Sequence, residues 1–214
     1  MIQTIIFDLG GVILNINPSI AREAFKHLGI TDIEKSYEDW KMAELFKDHE
    51  KGIITNDEFR QGIRKHIPRE VEDQDIDNAW NSMVLDIPQH RINMLLELKK
   101  KYRTILLSNT NFIHIEHWNQ YLKNNTQYSS LHPLFHKVYF SCDMGKRKPD
   151  PAIFQQVIDE CELQPSSVMF VDDYKHNIEG AIATGIHAVW HDPTLDIAEQ
   201  IQIYLDRFSK NSKS

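Results

Sequence analysis

Asp8 closes a short apolar run, Ile5-Ile6-Phe7, and is followed at once by Leu9-Gly10-Gly11. A continuous apolar run is the signature of a parallel strand buried on both faces, and open α/β sheets bind their ligands beyond the carboxyl ends of their strands. A carboxylate at that point would face into an active site, although an Asp after a strand also serves as a turn or helix cap. Three later segments have the same form. Thr104-Ile105-Leu106-Leu107-Ser108-Asn109-Thr110 ends an apolar run in two hydroxyls and an amide, and reads as a second strand delivering hydrogen-bond donors to the same edge. Gly145-Lys146-Arg147-Lys148-Pro149-Asp150-Pro151 is a basic loop whose prolines introduce a helix carrying Ile153, Phe154, Val157 and Ile158, since proline is at home in a first helical turn. Val168-Met169-Phe170-Val171-Asp172-Asp173 ends in adjacent acids that suit a hard cation, with Asn177 four residues beyond Asp173. Taken singly, each segment also fits a cap, a solvated charge or a polar loop.

Those side chains need a frame. Ile92, Leu95 and Leu96 form a helical face ahead of the Thr104–Leu107 strand, and further strands are expected at Val138–Phe140 and Ile186–Trp190. Alternating strands and helices predict an α/β, Rossmann-like fold with a mainly parallel sheet. Phe112, Trp118, Tyr121 and Leu122 read as packing residues of a helix.

The segment between the first two motifs has a different character. Ile20, Ala24, Phe25 and Leu28 recur at helical spacing and stop at Gly29. Trp40, Leu45 and Phe46 suggest a second helix, and Thr55-Asn56-Asp57-Glu58 reads as a capping box opening a third with Phe59 and Ile63. Ile76, Ala79, Trp80 and Met83 mark a fourth. This four-helix insertion is expected over residues 18–85, leaving 1–17 and 86–214 for the α/β core. Lys47-Asp48-His49-Glu50-Lys51-Gly52 is expected to be the loop joining two of its helices.

The order of the four motifs, with the phrases FDLGGV, LSNTN, MGKRKPDPAIF and FVDD followed by NIEGA, resembles the haloacid dehalogenase superfamily from Phe7 to about Trp190. Within it, the chain looks most like a small-molecule phosphatase branch that includes α-glucose-1-phosphate phosphatase, and the insertion resembles the helical cap of the first subclass. The resemblance implies Mg²⁺-dependent hydrolysis of a small phosphate monoester, a sugar phosphate such as a hexose 1-phosphate leading, through an aspartyl phosphate on Asp8. It assigns Asp8, the Gly10 carbonyl, Asp172 and Asp173 to the metal, Lys148 to the phosphate and Asp8, and Ser108 with the Asn109 amide to phosphate oxygens. His49 and Glu50 fall where the cap approaches substrate.

One departure matters. Most phosphatases of this superfamily carry a second Asp two positions after the nucleophile, as the acid that protonates the leaving oxygen; here that position is Gly10. General acid–base assistance is worth about 10²- to 10⁴-fold, so its loss should slow turnover, least for good leaving groups. Two alternatives stay open: a non-catalytic regulatory or binding protein on the same scaffold, and a metal-independent haloacid dehalogenase.

The 214 residues can bury a substantial core, and 41% hydrophobic and 26% charged residues are ordinary for a globular chain. A formal charge of −7 with scattered lysines argues against a nucleic-acid partner. Two cysteines, Cys142 and Cys161, offer neither zinc spacing nor a disulfide framework and suggest a reducing, cytoplasmic setting. The apolar stretch before Asp8 is too short for a signal peptide or membrane span. A monomer or small homo-oligomer is expected, with a polar tail, Ser209–Ser214, that frays.

Overall fold

The computed structural model describes residues 1–30 and 40–210. Its strands are β1 (Thr4–Phe7), β2 (Arg103–Ser108), β3 (Lys137–Phe140), β4 (Val168–Asp172) and β5 (His187–Trp190). The helices are α1 (Pro18–Leu28), α2 (Trp40–Glu50), α3 (Asn56–Arg64), α4 (Asp73–Asn81), α5 (Gln89–Lys99), α6 (Phe112–Asn125), α7 (Ser141–Met144), α8 (Pro151–Glu160), α9 (Lys175–Ile182) and α10 (Ile197–Lys210). The strands form one sheet in the order β3-β2-β1-β4-β5, with every neighbouring pair parallel. This is the α/β architecture expected from the alternating pattern.

The period of two along each strand sorts the core into two layers. Ile5 and Phe7 of β1, Leu106 of β2 and Val171 of β4 pack with Ile92 and Leu95 of α5, Leu122 of α6 and Ile201 of α10. Ile6, Ile105, Leu107 and Phe170 face the other way, onto Ile153, Phe154 and Val157 of α8 and Ala181 of α9. β1 is buried along its whole length because it lies between β2 and β4. From β1 the sheet grows to one side through β2 and β3, then to the other through β4 and β5. That reversal opens a crevice at the carboxyl end of β1.

Helices α1 to α4 gather around a third apolar cluster that includes Phe25, Phe46, Phe59, Ile63, Ile76 and Trp80. The Phe46 and Trp80 rings lie 4.8 Å apart, and Phe46 meets Phe59 edge-on at 5.5 Å. The expected signals operate: Gly29, at φ 114°, ends α1, and Thr55 with Glu58 closes the capping box of α3. The chain passes between this cluster and the sheet through two paired segments. Ile16 bridges Val84, Asn17 N–H donates to Met83 O at 2.8 Å and Asn15 N–H to Asp86 O at 2.9 Å.

Two expectations need adjustment. Residues 47–50 are not loop, because α2 runs through Glu50 and turns only at Gly52. Helical bonding continues to that end, with Lys51 N–H donating to Lys47 O at 3.0 Å and Gly52 N–H to His49 O at 3.0 Å. At the C-terminus α10 reaches Lys210, and residues 211–214 of the tail lie outside the described residues. No helix among the described residues is long and apolar enough to cross a membrane. Cys142 and Cys161 are buried free thiols.

Candidate active site

The register of β1 against its neighbours decides which side chains meet. Phe7 pairs with Leu106 on one side and Val171 on the other, so the next residues out, Asp8 and Asp172, emerge side by side at the crevice, with Ser108 at the end of β2. Asp8 is fixed there by its N–H, which donates to Val171 O at 2.9 Å.

Lys148 arrives from the loop before α8 and is 1% exposed. A lone ammonium at such depth would carry a desolvation cost of several kcal/mol. Here it donates to Asp8 Oδ1 at 2.6 Å and to Asp172 Oδ2 at 2.7 Å. Burial works against its charge, yet Asp172 and Asp8 hold its pKa above the ordinary lysine value. Asp172, fully buried, also accepts from both Asn177 Nδ2, at 2.9 and 3.1 Å to its two oxygens, and the Tyr174 N–H at 2.7 Å. Asn109 fixes the lysine's backbone through a reciprocal pair, Asn109 Nδ2 donating to Lys148 O and Lys148 N–H to Asn109 Oδ1, each at 2.9 Å.

Asp8, Asp172 and Asp173 present carboxylate oxygens within 4.8 Å of one another. One lysine cannot balance three such acids. Burial pushes Asp8 upward against the pull of Lys148, with Asp172 and Asp173 adding repulsion, and burial followed by Asp172 raises Asp173 to about 6. An oxygen-rich, over-negative cluster is the donor set of a hard divalent cation. Gly11, at φ 76°, makes room for it, since a Cβ there would stand 2.3 Å from Asp173 Oδ2.

The carboxylates open into a cavity of about 550 Å³ between the sheet edge and the helical cluster, a volume within the range of small-metabolite sites. Asp8, Gly10, Ser108, Asn109, Lys148 and Asp173 line it, so most of the sequence-predicted set shares one space; Asp172 sits behind, holding Lys148. Glu50 also lines it, paired through Oε2 with Arg147 Nε at 2.8 Å, while the Ser141 hydroxyl donates to the Glu50 carbonyl at 2.5 Å. Burial raises the Glu50 pKa against the pull of Arg147.

His49 is not brought to the site. Its ring stacks on Phe59 at 4.1 Å and bonds Asn56 Oδ1 at 2.9 Å inside the helical cluster. Adjacent residues of a helix point about 100° apart, so with Glu50 facing the cavity His49 turns inward. At Gly10 the space a side chain would take is bounded by Ile16, whose Cδ1 lies 3.1 Å from a built Cβ.

A match to the haloacid dehalogenase-like hydrolase family model spans residues 2–185. The chain belongs to that family. It is 29% identical over 206 residues, 96% of its own length and all of the relative's, to D-ribitol-5-phosphate phosphatase of Bacteroides thetaiotaomicron. It also superposes on a HAD family enzyme of that organism in complex with magnesium and inorganic phosphate, with a TM-score of 0.81 and 36% identity over 92% of this chain and 97% of the other. A HAD-like family hydrolase from Porphyromonas gingivalis gives a TM-score of 0.85 at 32% identity, covering 96% and 98%.

Within this hydrolase, sequence reasoning missed Arg147, quoted only as part of the basic loop, and the aromatic wall of Trp80, His114 and Trp118. Trp118, expected to be a packing residue, does pack on the sheet and lines the cavity as well. His114 could have been found by position: it lies in the first turn of the helix capped by Asn111, directly after the Ser108-Asn109-Thr110 motif.

The loop that carries Lys148, ahead of α8, is touched by Gly180 of α9. A Cβ on Gly180 would lie 2.1 Å from Pro149 O. Gly to Ala within a helix normally gains about 1 kcal/mol, but overpacking against backbone costs about 1–3 kcal/mol. Gly180→Ala should therefore lower the urea midpoint and reduce turnover together. A variant as stable as the parent would show that the loop yields freely.

Proposed function

We propose that this hydrolase is a Mg²⁺-dependent phosphatase of small polyhydroxylated phosphate monoesters, working through an aspartyl phosphate on Asp8, with residues 18–85 as its cap. The observation that carries the reading is the Asp8–Lys148–Asp172 bridge beside Asp173 at the floor of a metabolite-sized cavity. The magnesium and phosphate bound by the Bacteroides enzyme support it. So does the chemistry of the residues. An Asp8 oxygen attacks phosphorus, forming the acyl phosphate as the bond to the alkoxide breaks, and water then cleaves the acyl phosphate to return the carboxylate. Lys148 offsets the repulsion between the Asp8 anion and the phosphate, and Ser108 Oγ and the Asn109 N–H orient phosphate oxygens. Mg²⁺, held by Asp8 and Asp173 with the Gly10 carbonyl and with Asp172 in support, would neutralise charge on the transferred group.

No acid stands at Gly10, and among the described residues Glu50 is the one cavity carboxylate outside the metal cluster. The leaving alkoxide therefore takes its proton from water or from Glu50. A binding-only protein has no use for the full charge set, and the adjacent acids favour a metal-dependent reaction over dehalogenation.

Substrates in this class are sugar phosphates, including a hexose 1-phosphate, and sugar-alcohol phosphates such as the ribitol 5-phosphate for which the Bacteroides relative is named. The free thiols accord with a reducing, cytoplasmic setting. The test is phosphate release from a panel of both kinds. Chelation should silence turnover, and Asp173→Ala should raise the Mg²⁺ needed for half-maximal rate or abolish activity. Release undiminished by chelator, or none from any ester, would overturn the reading. Within the panel, kcat for a hexose 1-phosphate should exceed that for its 6-phosphate, because an anomeric oxygen leaves more readily without an acid. Equal rates would point to Glu50 as donor.

A further inference from the structure

The cavity lining is of two kinds. Asp8, Lys148 and Asp173 form the charged floor, while Trp80, Met83, Val84 and Trp118 form an apolar wall. His114 interrupts that wall. It is 6% exposed, its ring 4.8 Å from Trp80 and 6.0 Å from Trp118 in stacked arrangements. Its Nδ1 lies 2.8 Å from Asn81 Oδ1. An amide oxygen only accepts, so Nδ1 carries the hydrogen. Burial pulls the His114 pKa down to about 3, with His49 and His117 acting in the same direction. The neutral ring has one hydrogen, committed to Asn81, and Nε2 is left as a bare acceptor with no partner among the described residues.

A second observation concerns the same wall. Trp80 Nε1, Trp118 Nε1 and Thr110 Oγ1 are buried without hydrogen-bond partners among the described residues, and all three residues line the cavity. Buried polar atoms are nearly always satisfied, and several orphans in one place call for a ligand or water. Three of the four groups, the two indoles and the hydroxyl, can donate; Nε2 can only accept. An alkyl chain satisfies neither kind, and a phosphate belongs at the charged floor. A carbon chain bearing several hydroxyls satisfies both, because each hydroxyl donates one hydrogen and accepts through two lone pairs.

We propose that His114 is the specificity residue for the hydroxylated chain of the substrate, its Nε2 accepting a hydrogen bond from a substrate hydroxyl while Trp80, Trp118 and Thr110 supply donors around it. The inference rests on the phosphatase reading for the orientation of the ester, phosphate on Asp8 and chain towards the wall. Asn81 is then a positioning residue that fixes the tautomer.

The decisive comparison is ribitol 5-phosphate against pentyl phosphate, which has the same chain length and also leaves as a primary alkoxide. In the unaltered enzyme kcat/KM should favour the polyol ester by about 100-fold or more, since a site built to bond hydroxyls rejects the analogue that lacks them. His114→Phe keeps a ring between the two tryptophans and removes both nitrogens. It should raise KM for the polyol ester and shrink the discrimination ratio about tenfold. His114→Gln, which restores an acceptor, should recover part of that loss. Equal loss for both esters would mean a structural role and overturn the proposal, as would a ratio near one in the unaltered enzyme. Calorimetric titration of the two esters into the Mg²⁺-loaded Asp8→Asn protein reads the same discrimination without turnover. Selective binding of the polyol ester by Asp8→Asn, together with no phosphate release by the unaltered enzyme, would sink the phosphatase reading and leave recognition by His114 standing. Failure of both esters to bind would overturn the recognition proposal.

Discussion

Asp8→Asn should lower kcat by more than about 10⁴-fold, the scale seen when a covalent nucleophile is removed, while leaving the protein folded. An amide is nearly isosteric with the carboxylate but cannot form the acyl phosphate. The stability side of the expectation follows from the local charge balance. Asp8 is one of three acids crowded around a single lysine, and burial together with Asp172 and Asp173 already pushes it towards protonation. Removing its charge relieves that repulsion, and Lys148 keeps Asp172 as a buried partner at 2.7 Å. The melting temperature should therefore hold or rise. Single-turnover phosphate release and a thermal melt check both halves. Turnover near that of the parent would end the covalent mechanism.

Lys148→Met should do the opposite to stability. The substitution keeps an unbranched chain of similar bulk but leaves Asp8 and Asp172 without their shared cation, and Asp172 is fully buried. Breaking a buried ion pair by removing one partner costs about 3–5 kcal/mol, against gains of about 0–1 kcal/mol for an exposed pair such as Lys100–Glu97. Denaturant midpoints should thus fall well below those of a Lys100→Met control, and turnover should be lost as well, because nothing then offsets the repulsion between Asp8 and the phosphate. A Lys148→Met protein as stable as that control would mean that the two carboxylates are paired by something other than this lysine.

The contrast between the two variants follows from the sign of the charge removed. Both act on groups 2.6 Å apart, yet one deletes an excess negative charge and the other the single positive charge among three acids. The same imbalance makes a divalent cation a fitting occupant, and Gly10 is the unusual point of the site: it offers no acid to a leaving group, which leaves water or Glu50 as the proton source in the proposed reaction.

By itself the sequence determined the fold and most of the residues that meet at the carboxyl end of the sheet. Buried parallel strands must be apolar throughout, so the residues where each run stops, Asp8, Ser108 and Asp172, marked the sheet edge where ligands bind. Local signals did as much for the helices, as at Gly29 and at Thr55 with Glu58, because caps and turns are read within a few residues. Tertiary structure alone decided what faces the chemistry from a distance. His49 and Glu50 are neighbours in sequence, and only the packing of α2 against α3 sends the first onto Phe59 and leaves the second to meet Arg147. Trp80 and His114 are 34 positions apart, yet their rings stack in one wall. No periodicity encodes that meeting, since it depends on how the helical cluster sits over the sheet, and an aromatic side chain has the same pattern in a sequence whether it packs in a core or lines a cavity.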